Sequence, residues 1–287
     1  MIELFRGPFV VVAAAFLGAG FACAGVLWWA GLFPSLGVAS SAPFSCNVLA
    51  VQVHGTIVSS RSSIPLADTI PVSGEGGVTT LLAPNYVVSN EVESMIRSAS
   101  TDPNIKALLV DVESAGGGPV AGNEIATAIR RFGKPTVALV HEMAASSGYL
   151  VAAAADTIFA SEDSSVGSIG VTISYTDYSL KNKKEGVTFN QLSSGPYKDT
   201  FNPDKTLTES ERALIMRDIQ VSRDDFVRLV AGYRGQAVEK IDALADGSTM
   251  MGRQALENGL IDGLGGTEEA LAYLGEKLGE PVEICWQ

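Results

Sequence analysis

The stretch His141–Val171, HEMAASSGYLVAAAADTIFASEDSSVGSIGV, decides the fold of this chain. A buried-strand pattern leads into it, a turn of small residues follows, and an alanine-rich helix comes next. A serine between a buried strand and a helix N-terminus presents its hydroxyl, and the free N–H groups of the first helical turn can stabilise an oxyanion. Ser146 is therefore a candidate nucleophile, with Ser147 as its neighbour. Serine is also a favoured helix N-cap, so a purely structural role stays open at this point.

Composition and charge exclude several classes of function. The 287 residues are 46% hydrophobic and 18% charged, which allows a substantial core, and the net charge of -12 argues against nucleic-acid binding. Cysteines and histidines show no metal-ligand spacing, and with only His54 and His141 we expect no histidine-based metal site. Gly116–Gly118 lacks the spacing of nucleotide-binding loops, and we expect no cofactor. Cys46 and Cys285 could pair in an oxidising compartment, but the sequence leaves this open.

The N-terminus has the pattern of a membrane anchor. Residues 8–33 carry no charge, and a helix of that length reaches about 39 Å, enough for a hydrocarbon layer of about 30 Å. Arg6 precedes the run and Trp28 and Trp29 fit an interfacial belt, which favours a cytoplasmic N-terminus and an extracytoplasmic remainder.

These signals predict three parts of the chain. Residues 1–33 form a single-pass transmembrane anchor in the cell membrane, 34–46 a linker, and 47–287 the catalytic-type domain. Cleavage after Ala39 is the main alternative to an uncleaved anchor.

The rest of the chain alternates strands and helices. A helix that follows each buried strand is typical of an α/β domain with a mostly parallel sheet. The Ser-, Pro- and Gly-rich residues 59–87 predict an irregular loop. Thr208 and Glu211 form a capping box at the start of a long helix that reaches about Tyr233. The predicted strands are 48–53, 107–112, 136–140 and 157–160.

A serine nucleophile needs a base that removes its proton. His141 is only five residues before Ser146 and no aspartate is placed by the sequence to orient it, so we expect ordinary contacts for it. Lys198 lies among Pro196, Tyr197 and Phe201, and desolvation by such neighbours would favour a neutral amine. An exposed lysine paired with Asp199 is the alternative.

Four sequence blocks together resemble the signal peptide peptidase A family, membrane-anchored Ser/Lys peptidases of the ClpP/crotonase superfamily. Over about residues 48–275 they follow the family's order, and Gly167–Val171 matches its Gly-Ser-Ile-Gly-Val as it stands. The blocks are Glu113–Gly118, similar to Ser-Pro-Gly-Gly; Met143–Tyr149, similar to Met-Ala-Ala-Ser-Gly-Gly-Tyr; Ser194–Asp199, similar to Ser-Gly-x-x-Lys-Asp; and Gly252–Leu256 with Gly259–Asp262, similar to Gly-Arg-x-Ala and Gly-Leu-Val-Asp.

The resemblance implies a ClpP/crotonase-like α/β fold and a serine endopeptidase. Ser146 would be the nucleophile, Lys198 the general base, and the N–H groups of Gly117 and Ser147 the oxyanion hole. Ala115 replaces the family's usual proline. Ser147 replaces a glycine, which leaves open which serine attacks, although the alignment favours Ser146.

The resemblance further implies peptide substrates such as signal-peptide remnants, and a homo-oligomeric ring, expected to be an octamer, whose neighbouring protomers share active sites. A stomatin-associated membrane serine peptidase is one alternative, and an acyl-CoA-handling crotonase is a second. A non-catalytic oligomeric membrane scaffold is the alternative outside the enzymes.

Overall fold

The sheet grows from strands whose side chains are buried on both faces. The computed structural model describes residues 46–63, 69–74, 77–82 and 86–287. Within them, nine strands form one sheet with the central order β10-β7-β6-β5-β1-β11, and every pairing along that order is parallel. The predicted α/β class with a mostly parallel sheet is therefore confirmed. The strands are β1 Val48–Val58, β4 Tyr86–Val88, β5 Ala107–Gly117, β6 Thr136–Ala145, β7 Thr157–Ala160, β8 Ser165–Gly167, β9 Thr249–Met251, β10 Gly263–Leu264 and β11 Ile284–Trp286.

Helices cover the two faces of this sheet unequally. The face that carries Leu108, Val110 and Val112 packs against several helices, whereas the opposite face, with Ala107 and Leu109, packs on α8. Side chains of a strand alternate between faces, so β5 contributes to both layers. The helices are α1 Ser89–Thr101, α2 Pro119–Arg130, α3 Ser147–Ala153, α4 Ser179–Lys184, α5 Glu209–Arg234, α6 Val238–Leu244, α7 Gly252–Asn258 and α8 Thr267–Leu278.

Residues 59–87 contain more regular structure than we expected. Strands β2 (Thr69–Gly74) and β3 (Gly77–Leu82) pair antiparallel as a separate two-stranded sheet, and β4 joins β1. The prediction of an irregular loop was wrong. It relied on the frequent Ser, Pro and Gly residues of this segment, whereas Thr, Ile and Val within the two strands have high β-propensity.

The long helix α5 begins as the sequence predicts. Thr208 is its N-cap: the Thr208 hydroxyl accepts from the Glu211 N–H at 3.2 Å, and the Glu211 carboxylate accepts from the Thr208 N–H at 2.9 Å. Lys205 donates to Glu211 at 2.5 Å. This ion pair lowers the pKa of Glu211 to about 2, together with the backbone donor at Thr208. The predicted capping box is therefore confirmed, and it marks the start of α5.

A disulfide bond joins the two ends of the described domain. Cys46 and Cys285 are paired across 239 residues of sequence, with Cα atoms 5.6 Å apart. Strand pairing brings the two cysteines together: β11 pairs in parallel with the start of β1, so that Leu49 lies opposite Cys285. The bond closes the sheet edge at which the described chain both begins and ends.

The predicted anchor, residues 1–33, and nearly all of the predicted linker lie outside the described residues. Among the residues that are described, none of the helices is long and apolar enough to cross a membrane.

Candidate active site

Ser146 occupies a strained turn between β6 and α3. Its φ of 52° and ψ of -126° lie outside the regions that side-chain-bearing residues prefer. The Ser146 N–H donates to the carbonyl of Gly167 at 2.9 Å and its own carbonyl accepts from Leu150 at 3.0 Å, so the strand ends and the helix begins at this one residue. Although Ser146 is the N-cap of α3, its side chain makes no capping hydrogen bond. The N-cap role that the sequence left open is thus not performed by this hydroxyl.

Ser147 has the opposite environment. It is buried, and its hydroxyl is directed to the carbonyl oxygens of Gly117 at 3.3 Å and Gly118 at 3.4 Å. Ser146, by contrast, is only partly buried. The Ser147 N–H is at the first position of α3 and therefore has no acceptor within the helix.

The glycine loop that ends β5 lies directly against this turn. A Cβ on Gly116, whose φ is 108°, would stand 2.8 Å from the Ser146 Cβ and 3.1 Å from the Ser147 nitrogen. A Cβ on Gly117 would stand 2.1 Å from the carbonyl oxygen of Ile57 in β1. These contacts explain the consecutive glycines, because any side chain would separate the loop from its neighbours. Gly117 also lies beside Ser147, whose hydroxyl is 3.3 Å from the Gly117 carbonyl oxygen.

Ser114 holds the glycine loop in place. Its hydroxyl donates to the carbonyl of Gly55 at 2.6 Å and accepts from the Gly116 N–H at 3.0 Å. A Cβ on Gly148 would stand 2.8 Å from the Ser114 carbonyl oxygen, so α3 packs closely on the same residue. Strand β1, the glycine loop and the serine turn are therefore hydrogen-bonded and packed together through Ser114.

Tyr149 connects the serine turn to the C-terminal sequence block. The fully buried ring donates through its hydroxyl to the carbonyl of Leu260 at 2.9 Å, and burial raises the pKa of the Tyr149 phenol. Asp262, two residues further, accepts from the backbone N–H of Ile158 at 2.8 Å and from Arg234 at 2.6 Å. The two distant motifs are therefore parts of one packed structure behind the turn.

Lys198 lies in the segment between α4 and α5. The lysine is exposed, in a turn whose Tyr197 and Phe201 are themselves 47% and 38% exposed, so the expected desolvation is absent within this chain. Among the described residues, those between Phe189 and Asn202, Lys198 included, line a pocket at this turn. Within the described residues, no hydrogen bond links Lys198 to Ser146.

The structure also gives His141 a partner that sequence reasoning missed. The His141 Nε2 lies 2.5 Å from Asp111 Oδ1, and His54 Nε2 lies 3.3 Å from Asp111 Oδ2. The sequence did not place an aspartate near His141, because Asp111 comes from the neighbouring strand β5 rather than from the same segment. The available signal was strand parity: all three side chains fall on one face of the sheet.

Comparison with known sequences agrees with the motifs assembled at this turn. Residues 128–279 match the profile of Peptidase family S49. The chain belongs to that family. It is 37% identical to a protein of Enterococcus faecium named as a signal peptide peptidase SppA. The alignment of 184 residues covers 63% of this chain and 54% of that protein. Protease 4 of Salmonella typhi is 34% identical over 198 residues, covering 67% of this chain and 32% of its own length. The predicted membership of the signal peptide peptidase A family is confirmed.

The match to the Enterococcus relative spans only about half of that protein's length. The fold of this chain is similar to that of a mutant of the 1510-N membrane-bound stomatin-specific protease. The TM-score is 0.52, and the match covers 85% of this chain and 98% of that structure. At 14% identity this likeness concerns the fold alone.

Proposed function

We propose that the chain is a membrane-anchored serine endopeptidase that degrades apolar peptides such as signal-peptide remnants. Ser146 is the nucleophile, and the observation that carries this assignment is the contrast between the two serines. Ser146 is partly exposed on a strained strand-to-helix turn and its side chain makes no capping bond, whereas the Ser147 hydroxyl is buried and directed to two carbonyl groups. A strained residue at a turn of this kind is a frequent feature of catalytic sites.

The reaction requires a base and an oxyanion hole. The neutral amine of Lys198 takes the Ser146 proton as the hydroxyl oxygen attacks the peptide carbonyl. The N–H groups of Gly117 and Ser147 stabilise the resulting oxyanion. The C–N bond then breaks, the ammonium returns its proton to the departing amine, and water hydrolyses the acyl-enzyme at Ser146. The position of the Ser147 N–H at the helix start supports this role.

Lys198 is exposed and, among the described residues, makes no hydrogen bond to Ser146, which fits active sites shared between neighbouring protomers. Lys198 lies in residues 171–207, which we name the arm. The arm folds back on itself, with a hydrogen bond of 2.6 Å from the Tyr178 N–H to the Pro203 carbonyl, and exposes apolar side chains including Leu180 at 74% and Leu192 at 99%. Burial of such side chains against a second copy would stabilise an assembly. We expect a closed homo-oligomeric ring, with eight protomers as the anticipated number.

The proposed location is the cell membrane, with the catalytic domain on the extracytoplasmic side and residues 1–33 as the anchor. The Cys46–Cys285 bond supports an oxidising compartment, because disulfides persist there and are rare in the cytosol.

The first test is peptidase activity of the full chain in detergent on a fluorogenic apolar peptide. Ser146→Ala and Lys198→Ala should abolish turnover, whereas Ser147→Ala should retain it, with each variant checked for unchanged oligomer size. Full activity of Lys198→Ala would rule out the Ser/Lys mechanism. Loss of activity in Ser147→Ala with activity kept in Ser146→Ala would move the nucleophile by one residue.

Shared active sites have a separate test, in which the two inactive variants are co-expressed. In mixed rings, a functional site needs the serine of the Lys198→Ala chain and the lysine of the Ser146→Ala chain. Random mixing at equal amounts should restore about a quarter of wild-type activity if neighbours share sites. If both residues act within one chain, co-expression restores nothing, and the proposed sharing is refuted while the dyad is not.

A further inference from the structure

Three potential metal ligands converge on the sheet face that α8 covers only in part. Asp111 follows Leu109 on that face of β5 and is 4% exposed. It lies opposite Gln52 of β1 and Leu139 of β6, and two residues further along those strands are His54 and His141. Since residues two apart share a face, both imidazoles flank the one carboxylate. This cluster takes no part in the proposed peptidase reaction.

The geometry gives each imidazole its own carboxylate oxygen. His141 Nε2 is 2.5 Å from Asp111 Oδ1, His54 Nε2 is 3.3 Å from Oδ2, and the potential ligand atoms of the three residues all lie within 4.8 Å of one another. The two rings are nearly perpendicular, with centroids 6.3 Å apart. All three side chains therefore direct a ligand atom toward one small volume.

Two of these buried atoms lack hydrogen bonds. Among the described residues, neither His54 Nε2 nor Asp111 Oδ1 has a hydrogen-bond partner, although His141 approaches Oδ1 closely. Buried polar atoms nearly always make hydrogen bonds, and burial of a polar atom without one is costly. A cation held between the three side chains would satisfy both atoms at once.

We propose that His54, Asp111 and His141 bind a divalent transition-metal ion, with Zn²⁺ as the expected occupant. Two imidazole nitrogens and one carboxylate suit Zn²⁺, whereas Mg²⁺ and Ca²⁺ prefer oxygen ligands. Tetrahedral Zn²⁺ with bonds of about 2.0–2.1 Å separates its ligand atoms by about 3.3 Å, a spacing within the range of the present separations, which are all below 4.8 Å. The histidine side chains are 38% and 43% exposed, so the remaining coordination position faces solvent and would take water.

Zinc binding to the metal-free full chain tests this site. The chain is purified in detergent without a histidine tag, in a Cys23→Ser background so that this thiol cannot contribute, and stripped with a chelator. Zn²⁺ is then titrated in competition with a chromogenic zinc indicator, and Co²⁺ serves as a spectroscopic probe of nitrogen ligation. We expect one ion per chain, and imidazole ligation can come only from the proposed site because the chain has two histidines.

Matched variants separate the site from surface binding. His141→Ala removes a half-exposed ligand and should weaken Zn²⁺ binding by more than about 100-fold. Loss of a residue that only hydrogen-bonds to a ligand typically weakens metal binding by about 10- to 100-fold, so a larger loss indicates direct ligation. Glu142→Gln removes the exposed neighbouring carboxylate and should leave affinity unchanged. Zn²⁺ should also raise the melting temperature of the parent chain but not of His141→Ala. Absence of stoichiometric binding, wild-type affinity in His141→Ala, or an equal loss in both variants would overturn the proposal.

Discussion

Replacing Ser146 by glycine is expected to abolish peptidase activity and at the same time stabilise the protein relative to Ser146→Ala. The φ of 52° and ψ of -126° at this residue match the first central position of a mirror-image type II turn, where glycine is favoured. Alanine keeps the Cβ that makes this conformation unfavourable, whereas glycine does not. The alanine variant therefore separates loss of the hydroxyl from release of backbone strain.

The magnitude follows from two opposing contributions to the free energy of unfolding. A side-chain-bearing residue in a sparsely populated region of this kind costs about 1–3 kcal/mol. Glycine also increases the conformational entropy of the unfolded chain, which reduces the stabilisation from strain release by about 0.4–1 kcal/mol. The middle of each range, about 2 kcal/mol less about 0.7 kcal/mol, leaves Ser146→Gly about 1–2 kcal/mol more stable than Ser146→Ala. For a domain of this size that difference corresponds to about 2–8 °C in melting temperature.

Thermal unfolding of the two variants, followed by circular dichroism at one protein concentration, measures this difference. Ala145→Gly is the matched control: it lies on strand β6 without a positive φ, and glycine there should destabilise by about 0.5–1 kcal/mol. If Ser146→Gly melts at or below Ser146→Ala, the turn stores no strain that glycine can release. The argument for Ser146 as a strained catalytic residue would then lose its physical basis.

Three further predictions concern stability. Reduction of the Cys46–Cys285 bond should cost about 2–5 kcal/mol, because the bond closes a very long loop, and a Cys→Ser double variant should melt at a lower temperature that no longer responds to reductant. The hydrogen bond from Lys205 and the capping donors lower the pKa of Glu211 to about 2, so Glu211 stabilises the fold above its ordinary pKa of 4.5 and loses this effect as pH falls toward 2. The difference in melting temperature between wild type and Glu211→Gln should therefore shrink on acidification, and a difference independent of pH would contradict the assignment. A Cβ at Gly252 would stand 1.9 Å from a backbone carbonyl oxygen, so Gly252→Ala should destabilise by about 1–3 kcal/mol in denaturant titrations, and a neutral result would show that the contact relaxes freely.

Several structural features could be predicted from short segments because their causes are local. The capping box at Thr208 and Glu211 depends on groups within one helical turn, and it forms as expected. Strand β7 has the predicted bounds, Thr157–Ala160, because its apolar run is bounded by polar residues on both sides. The antiparallel pair of β2 and β3 was missed because Ser, Pro and Gly are frequent in residues 59–87 and because, among the described strands, these two pair with each other and not with the main sheet.

The sequence by itself determined the α/β alternation, the family motifs and the strand-to-helix turn that carries Ser146. Only the tertiary structure decided which serine hydroxyl is held by the glycine loop, that Cys46 pairs with Cys285, and that Asp111 lies between two histidines. Each of these depends on the register of strands that are distant in sequence, and register sets which side chains share a face and meet. Local patterns fix the faces of an element but carry no information about its neighbour, and that is why these contacts could not be predicted from the chain alone.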